Sequence, residues 1–396
     1  MDQQSLERIR KRKRDDDDEL FFSILPALYL YLKNTEKTKR HSSITYGRRK
    51  VRRLLNGHLK DCLTAFRMEP EIFRWIASYL RTEGLISDSD TIKVEEKLAF
   101  FLYMLSHNAS YEDLQVAFQH SASTFHDYIN EFFDVVPILA SRFLRPRHID
   151  GPHSKIANDD RFFPYFENCL GAIDGSHVPV TRSPQLQAPW RNRKGSLSQN
   201  LMLACDFDLN VTFISCGWEG SAIDARVLSS ALLNGFNVPN GKFYLVDGGY
   251  ANTQHFLAPY RGVRYHLKEW GHGHHAPQNH MELFNYRHAV ARNHIERLIG
   301  ILKKRFPILN VGTFHSITNQ VKIPAAAAVF HNIIKLQDGD EEWLEDQEDN
   351  IDPAVFVDLP NGDGENIQEN QLHENHVLGN QLRDHIAFQM WNDYIA

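Results

Sequence analysis

Three acidic residues stand where side chains could act on a phosphodiester. Asp174 closes the apolar run 169–173 and is followed by Gly175. Asp247 closes a second run, Phe243-Tyr244-Leu245-Val246, and is followed by Gly248-Gly249-Tyr250. Glu296 lies between Arg292 and Lys303 in a segment, 289–306, that reads as a helix. Cleaving a phosphodiester needs charge stabilisation at a pentavalent phosphorus and an activated oxygen nucleophile in line with the leaving oxygen. Two Mg²⁺ ions about 4 Å apart supply both, and carboxylates are the hard oxygen ligands that Mg²⁺ prefers. In that scheme Asp174 bridges the two ions, while Asp247 and Glu296 each complete one coordination sphere. Each residue alone also has an ordinary explanation. Asp-Gly after an apolar run is common turn chemistry, and Glu296 is spaced for a helix-face salt bridge with Arg292.

The elements that must position these residues follow from the surrounding pattern. A short apolar run closed by a turn dipeptide fits a buried strand. That puts Asp174 and Asp247 at strand ends, the carboxyl edge where open α/β sheets hold ligands. Residues 201–207 and 211–216 flank Asp208-Leu209-Asn210 and read as a hairpin. Residues 221–233 read as a helix, followed by the strand ending at Asp247, a short helix from Thr253, an apolar patch at 263–267 and the Glu296 helix. This order of strand, hairpin, helix, strand, helix, strand, helix is that of an RNase H-like α/β fold, a mixed sheet flanked by helices. The Ala-rich segment 321–336 closes it as a helix.

Other side chains near these segments have two readings each. Asp224, one helical turn in from Ser221, could serve as a cap, an arginine partner or a metal ligand. His177, three residues after Asp174, could hydrogen-bond Asp174 or a phosphate, or be a packed core histidine. Arg191, Arg193 and Lys194, with Trp190, form a basic loop suited to DNA backbone contact or simply to solvation. Lys303, Lys304 and Arg305 have the same two readings and also match the charge preference of a helix C-terminus. His266, His272, His274, His275 and His280 surround Gly271 and Gly273. Their spacing matches no standard zinc ligand set and no cysteine is near, so a mobile loop is the reading.

Upstream, residues 61–136 read as helices ending at Pro137. Pro70 opens one with Ile72, Phe73, Ile76 and Leu80 at helical spacing, and Ser110-Tyr111-Glu112-Asp113 is a capping-box signature. Two short helices separated by 119–121 form a helix-turn-helix candidate. The second presents Asp127, Asn130, Glu131 and Asp134 outward, and phosphates would repel those carboxylates.

The chain has 396 residues and a net charge of −6, with Lys and Arg concentrated at 8–14 and 48–53 and none between Lys335 and Arg383. This divides it into a basic, largely flexible arm with a short apolar helix (1–56), a helical helix-turn-helix-like domain (57–150) and an RNase H-like nuclease domain (160–337). An acidic disordered tail (338–380) and a C-terminal amphipathic helix (381–396) follow. The apolar segment 20–32 contains Pro26 and is too short to span a bilayer, so no membrane association is expected. The four cysteines lack metal-type spacing and suit reduced thiols in a nuclear or cytosolic protein.

Blocks spread from 62 to 336 resemble the transposases of the PIF/Harbinger superfamily, whose nuclease domain is called DDE superfamily endonuclease 4. They include Phe66-Arg67-Met68, Val94-Glu95-Glu96-Lys97-Leu98, Gly171 to His177, Arg193-Lys194-Gly195 and Ser198-Gln199-Asn200. Gly217 to Ala222 with Asp224, Asp247-Gly248-Gly249-Tyr250, Tyr260-Arg261-Gly262, Arg292-Asn293, Glu296-Arg297 and Lys303 to Pro307 continue the series. The resemblance puts the triad at Asp174, Asp247 and Glu296. It implies a two-ion Mg²⁺ enzyme, with Mn²⁺ able to substitute, that excises a DNA element and joins its ends to a short target site. It further implies double-stranded DNA as partner, a Myb/SANT-like DNA-binding protein, homo-oligomers and a nuclear location, with the cytoplasm second. Some relatives are non-enzymatic, host-adopted nuclear proteins, so a DNA- or chromatin-associated role stays open.

Overall fold

A computed structural model of the chain describes residues 7, 11–14, 20–35, 45–147, 150–264, 276–337 and 369–396. The chain divides into two compact units, Met1–Ile44 and Thr45–Ala396. In the first, a π-helical turn, Leu20–Ile24, leads into α1, Leu25–Thr35. Its apolar side chains Phe21, Phe22, Leu28 and Tyr31 are exposed.

The second unit opens with helices α2 (Tyr46–Asn56), α3 (Leu59–Phe66), α4 (Pro70–Thr82), α5 (Val94–His107), α6 (Tyr111–Phe118) and α7 (Ala122–Phe143). The capping box forms as the pattern requires: Asp113 donates its backbone N–H to Ser110 Oγ, and its carboxylate accepts the Ser110 N–H at 2.9 Å. The helix expected to end at Pro137 instead runs through it to Phe143. A proline inside a helix costs about 3 kcal/mol. Burial of Val135, Val136 and Leu139 on the proline-containing stretch offsets it, and α7 packs on the Ala-rich helix Ile323–Leu336. Asn332 of that helix also caps the end, donating to the Phe143 carbonyl at 2.9 Å. The outward carboxylates of α7 are mostly engaged by the chain itself. Glu131 pairs with Lys97 at 3.0 Å, Asp134 with Lys322 at 3.3 Å, and Asn130 accepts from Asn319 at 2.7 Å.

After a short helix, α8 (Ser154–Ala157), the strands are β1 (Cys169–Pro179), β2 (Ser198–Cys205), β3 (Val211–Glu219), β4 (Phe243–Leu245) and β5 (Phe256–Leu257). Their order is β3-β2-β1-β4-β5, with β1, β2 and β3 antiparallel and β4 and β5 parallel to β1. This is an RNase H-like mixed sheet. Helix α9 (Asp224–Leu233) covers one face, with Val227, Leu228 and Ala231 packed against Ile173, Met202 and Tyr244. The other face meets α10 (His280–Arg305) and α12 (Ile323–Leu336), with α11 (Ile317–Gln320) between them in sequence. The core on that face is continuous with the N-terminal helices, as in the packing of Phe101 on Phe330.

Further elements differ from the sequence pattern. β1 does not stop at Asp174-Gly175, because β2 pairs with it from Ala172 through Pro179. No helix forms at Thr253; that segment turns directly into β5, and of the apolar patch only Val263 and Arg264 lie within the described residues. The final helix, α13 (Glu369–Ile395), starts well before 381. Gly379 makes the earlier start possible, since a Cβ there would meet the Thr253 backbone at 2.5 Å. Asp384 and Asp393 then accept from the Tyr260 and Tyr165 hydroxyls, both at 2.6 Å. Most of the acidic tail (338–368) and of the histidine tract (265–275) lies outside the described residues.

Candidate active site

Register places the two aspartates. In the parallel β1–β4 pair Ala172 stands opposite Leu245, and both point into the core on the α10 side. Side chains alternate along extended chain and parallel neighbours lie about 4.8 Å apart. Two residues further along each chain come Asp174 and Asp247, side by side on the same face. β4 ends at Leu245, so this is the carboxyl edge of the parallel part of the sheet even though β1 itself continues. Gly171 makes the register possible: it sits at a bulge with φ of 148°, and a side chain there would collide with the Cys205 carbonyl.

Helix α10 supplies the third carboxylate. Asn279 caps it, accepting the Glu282 N–H at 3.0 Å, so the helix begins nine residues before the expected 289. Phe284, His288, Ala291, Ile295, Leu298 and Leu302 form its buried stripe. Arg292 and Glu296, one turn apart at the edge of that stripe, face the sheet. The Arg292 guanidinium donates to Asp174 at 3.1 Å and also to Glu296, so it bridges residues 118 and 4 positions away. The helix-face salt bridge and the three-carboxylate cluster are therefore one feature.

Electrostatics tie the group together. Burial lifts the Asp174 carboxyl to about 7; Arg292 opposes the shift, while Asp247 and Glu296 add to it. Asp247 is raised as well, again chiefly by burial, with Arg292 and the Gly249 N–H pulling it down and Asp224 pushing it up. Asp224 opens α9 beside Gly175, where a Cβ would lie 2.5 Å from its Oδ1, and it accepts from Asn200 at 2.8 Å. The buried Tyr250 hydroxyl has no hydrogen-bond partner among the described residues, and its ionisation is opposed by burial and by Asp224, Asp174 and Asp247. Asp247 accepts from the Gly249 N–H at 2.9 Å and has no ion-pair partner among the described residues. With Arg292 in its present position, no three metal-ligating side chains converge at coordination distance among the described residues.

Basic side chains gather near His177, three residues beyond Asp174 on β1. His177 does not bond Asp174; its Nδ1 lies 3.0 Å from Ser198 Oγ. Desolvation lowers its pKa; the Asp224 charge opposes this, and Lys303, Arg193 and Lys194 assist. Three positively charged residues from two distant segments therefore act on one point of β1. Arg193 and Lys194 are exposed, and Lys303 is half-buried with its pKa lowered by burial. Arg191 braces its loop, donating to the Gly195 carbonyl at 3.0 Å and to Gln187 at 3.2 Å. Lys304, next to Lys303 on α10, is exposed.

The family of this fold follows from comparison with known proteins. Residues 173–332, which include every carboxylate just described, match the model of the DDE superfamily endonucleases. The chain carries a DDE endonuclease domain. Residues 42–138, which include α2 to α6, match a separate domain of unknown function, DUF8040. "Protein ALP1-like" of Arabidopsis thaliana is 25% identical over 312 residues, 72% of either chain. "Putative nuclease HARBI1" of Rattus norvegicus is 26% identical over 181 residues, 44% of this chain and 48% of that protein. No solved structure matches the chain. The i,i+4 spacing offers a helix-face salt bridge between Arg292 and Glu296 as the ordinary alternative to a metal role for Glu296. Sequence reasoning missed the link from Arg292 to Asp174 and the part of Tyr250, because neither depends on local spacing. The presence of both residues in the resemblance blocks was the available signal.

Proposed function

We propose that the DDE endonuclease domain cleaves and joins DNA strands in Harbinger-type transposition, with Asp174, Asp247 and Glu296 as its metal-binding triad. The observation that carries this reading is the parallel register that sets Asp174 beside Asp247, with Glu296 tethered to Asp174 through Arg292. The donor chemistry fits a hard divalent cation. Burial raises the pKa of Asp174 and of Asp247, and the Tyr250 phenol, with no hydrogen-bond partner among the described residues, faces the same field. Asp174, Asp247 and Glu296 would hold the ions, which when bound supply charge stabilisation at phosphorus and an activated oxygen nucleophile.

The chain's own residues prepare this site. Strand and helix backbones fix the carboxylates, as rigid elements do better than loops. Arg292 neutralises Asp174 and Glu296 in the metal-free protein. Lys303, Arg193 and Lys194 attract the phosphodiester backbone towards an otherwise acidic centre. A nuclear location, a Myb/SANT-like partner for the element ends and a homo-oligomer belong to the same reading. Among the described residues no helix is long and apolar enough to cross a membrane.

A second reading is a DNA- or chromatin-associated protein without nuclease activity. It is favoured by the Arg292 bridge, which ties up carboxylate oxygens of both Asp174 and Glu296. A Mg²⁺-dependent cleavage and joining assay with element ends and the partner protein separates the two. Cleavage lost in Asp174→Asn supports the first reading, and DNA binding without any cleavage by the wild type supports the second.

A further inference from the structure

The helix that a helix-turn-helix would send into DNA is occupied elsewhere: Glu131, Asp134 and Asn130 of α7 contact Lys97, Lys322 and Asn319. A different helix of the same unit carries the opposite charge and is open to solvent. α2 has the sequence Tyr-Gly-Arg-Arg-Lys-Val-Arg-Arg-Leu-Leu-Asn. Gly47, Val51, Leu54 and Leu55 are buried and dock it on the neighbouring helices. Gly47 makes the close approach, since a Cβ there would lie 2.9 Å from the Phe118 carbonyl. Arg48, Arg49, Arg52 and Arg53 are exposed on the opposite side. At 3.6 residues per turn these four cover about 140° of the helix surface.

Arg48, Arg52 and Arg53 have no ion-pair partner among the described residues. The choice of cation also differs between the faces. The one lysine, Lys50, turns inward with its ammonium 4.9 Å from the Tyr103 ring centroid and 4.7 Å from that of Phe118. All the outward cations are guanidiniums, whose planar fork matches phosphate oxygens. Beside them lies a cleft of about 250 Å³ whose lining includes Arg48, Arg52 and Lys93. Its two acids are already held, Glu95 by Arg81 at 2.9 Å and Glu96 by His120 at 2.8 Å. Lys93 pairs with Asp88 at 3.4 Å, so Arg48 and Arg52 are the cleft cations without an ion pair among the described residues.

We infer that α2 and its cleft form a binding site for the sugar-phosphate backbone of duplex DNA, separate from the carboxylate centre and indifferent to sequence. This rests on the nuclease-family reading of the chain, which makes DNA the polyanion it meets. Duplex DNA carries one charge per about 1.7 Å of its axis, dense enough to engage an arginine array of this breadth.

The test uses the full chain in EDTA, a labelled random-sequence duplex, and the variant Arg48→Gln/Arg52→Gln/Arg53→Gln. These positions are exposed and glutamine is a good helix former, so the fold should persist. Removing three phosphate contacts should flatten the plot of log affinity against log salt by about 2.7 and weaken binding about 100-fold at 0.15 M salt. An equal-charge control, Arg145→Gln/Arg147→Gln/Lys155→Gln, should leave the slope near the wild-type value. If the triple variant is misfolded, single Arg48→Gln and Arg53→Gln variants should each lower the slope by about 0.9. An unchanged slope in folded variants, or an equal fall in the control, overturns the inference and leaves the nuclease reading standing. A variant that loses affinity for an acidic peptide of residues 338–368 while keeping its DNA slope overturns it in favour of a protein ligand. A wild type without DNA affinity overturns both readings.

Discussion

Replacing Asp174 with asparagine should stabilise the metal-free protein, and the gain should depend on pH. The carboxyl is buried against Arg292 with Asp247 and Glu296 close by, and its pKa stands at about 7 instead of the usual 3.8. Its folded-state pKa is raised, so the protonated form favours the fold. The contribution is fully present below about pH 4 and is lost as pH rises through about 7. The energy follows from the size of the shift. A carboxyl displaced that far costs the fold on the order of 4 kcal/mol once it is fully ionised. Asparagine keeps the volume and one acceptor for Arg292 but carries no charge, so about 2–4 kcal/mol should be recovered at pH 8.5 and little at pH 4.5.

The assay is urea or thermal unfolding of both proteins in EDTA across that range. Adding Mg²⁺ at pH 8.5 should then stabilise the wild type more than the variant, since a ligand that binds only the folded state adds stability by mass action. An asparagine variant equal to or below the wild type at pH 8.5, or a gain that does not shrink as pH falls, would refute the crowded-carboxylate reasoning.

Asp174→Asn, Asp247→Asn and Glu296→Gln should each abolish strand cleavage with the far-ultraviolet circular dichroism unchanged; a variant that cuts at the normal rate removes its residue from the site. Arg292→Gln should destabilise the metal-free protein by about 3–5 kcal/mol, because it strands two carboxylates that shared one guanidinium; equilibrium unfolding in EDTA measures this. Gly379→Ala should cost about 1–3 kcal/mol through overpacking, since its Cβ would meet the Thr253 backbone, and a melting curve decides it. Deletion of residues 341–366 should leave cleavage intact, as the segment lacks the apolar density to fold alone. Loss of cleavage with an unchanged melting temperature would show that the segment acts in the reaction.

What was legible in the sequence was whatever depends on short-range pattern. The apolar runs before Asp174 and Asp247 marked two strands, Asp208-Leu209-Asn210 marked the hairpin turn, and Ser110 with Asp113 marked a helix start. Each of these signals is complete within a few residues. The misread elements depend on distant partners. Pro137 ends most helices, but the buried flank of α7 against α12 outweighs it here. Asp174-Gly175 is a common turn, but a full-length partner in β2 keeps the strand extended through it. The segment 369–380 is polar, and only the approach of Gly379 to Thr253 and the hydrogen bond between Asn380 and Asn252 show why it is helical.

The candidate site repeats this division. Sequence could nominate three carboxylates because each ends or interrupts an apolar pattern, but it could not say how they are neutralised. That depends on Arg292, whose i,i+4 spacing to Glu296 already has a sufficient local explanation, so nothing in the pattern asks for a second partner. The tertiary structure supplies one across 118 positions. The consequence falls unequally on the three carboxylates. A guanidinium shared by Asp174 and Glu296 leaves Asp247 and Asp224 without an ion pair among the described residues, and burial raises the Asp247 pKa. Asp247 is therefore stabilised by the field of Arg292 and by the Gly249 N–H, without an ion pair of its own among the described residues. Asp247 is thus the triad carboxylate without an ion pair among the described residues, and Asp174 and Glu296 would serve as ligands of a divalent cation only at the expense of their bonds to Arg292.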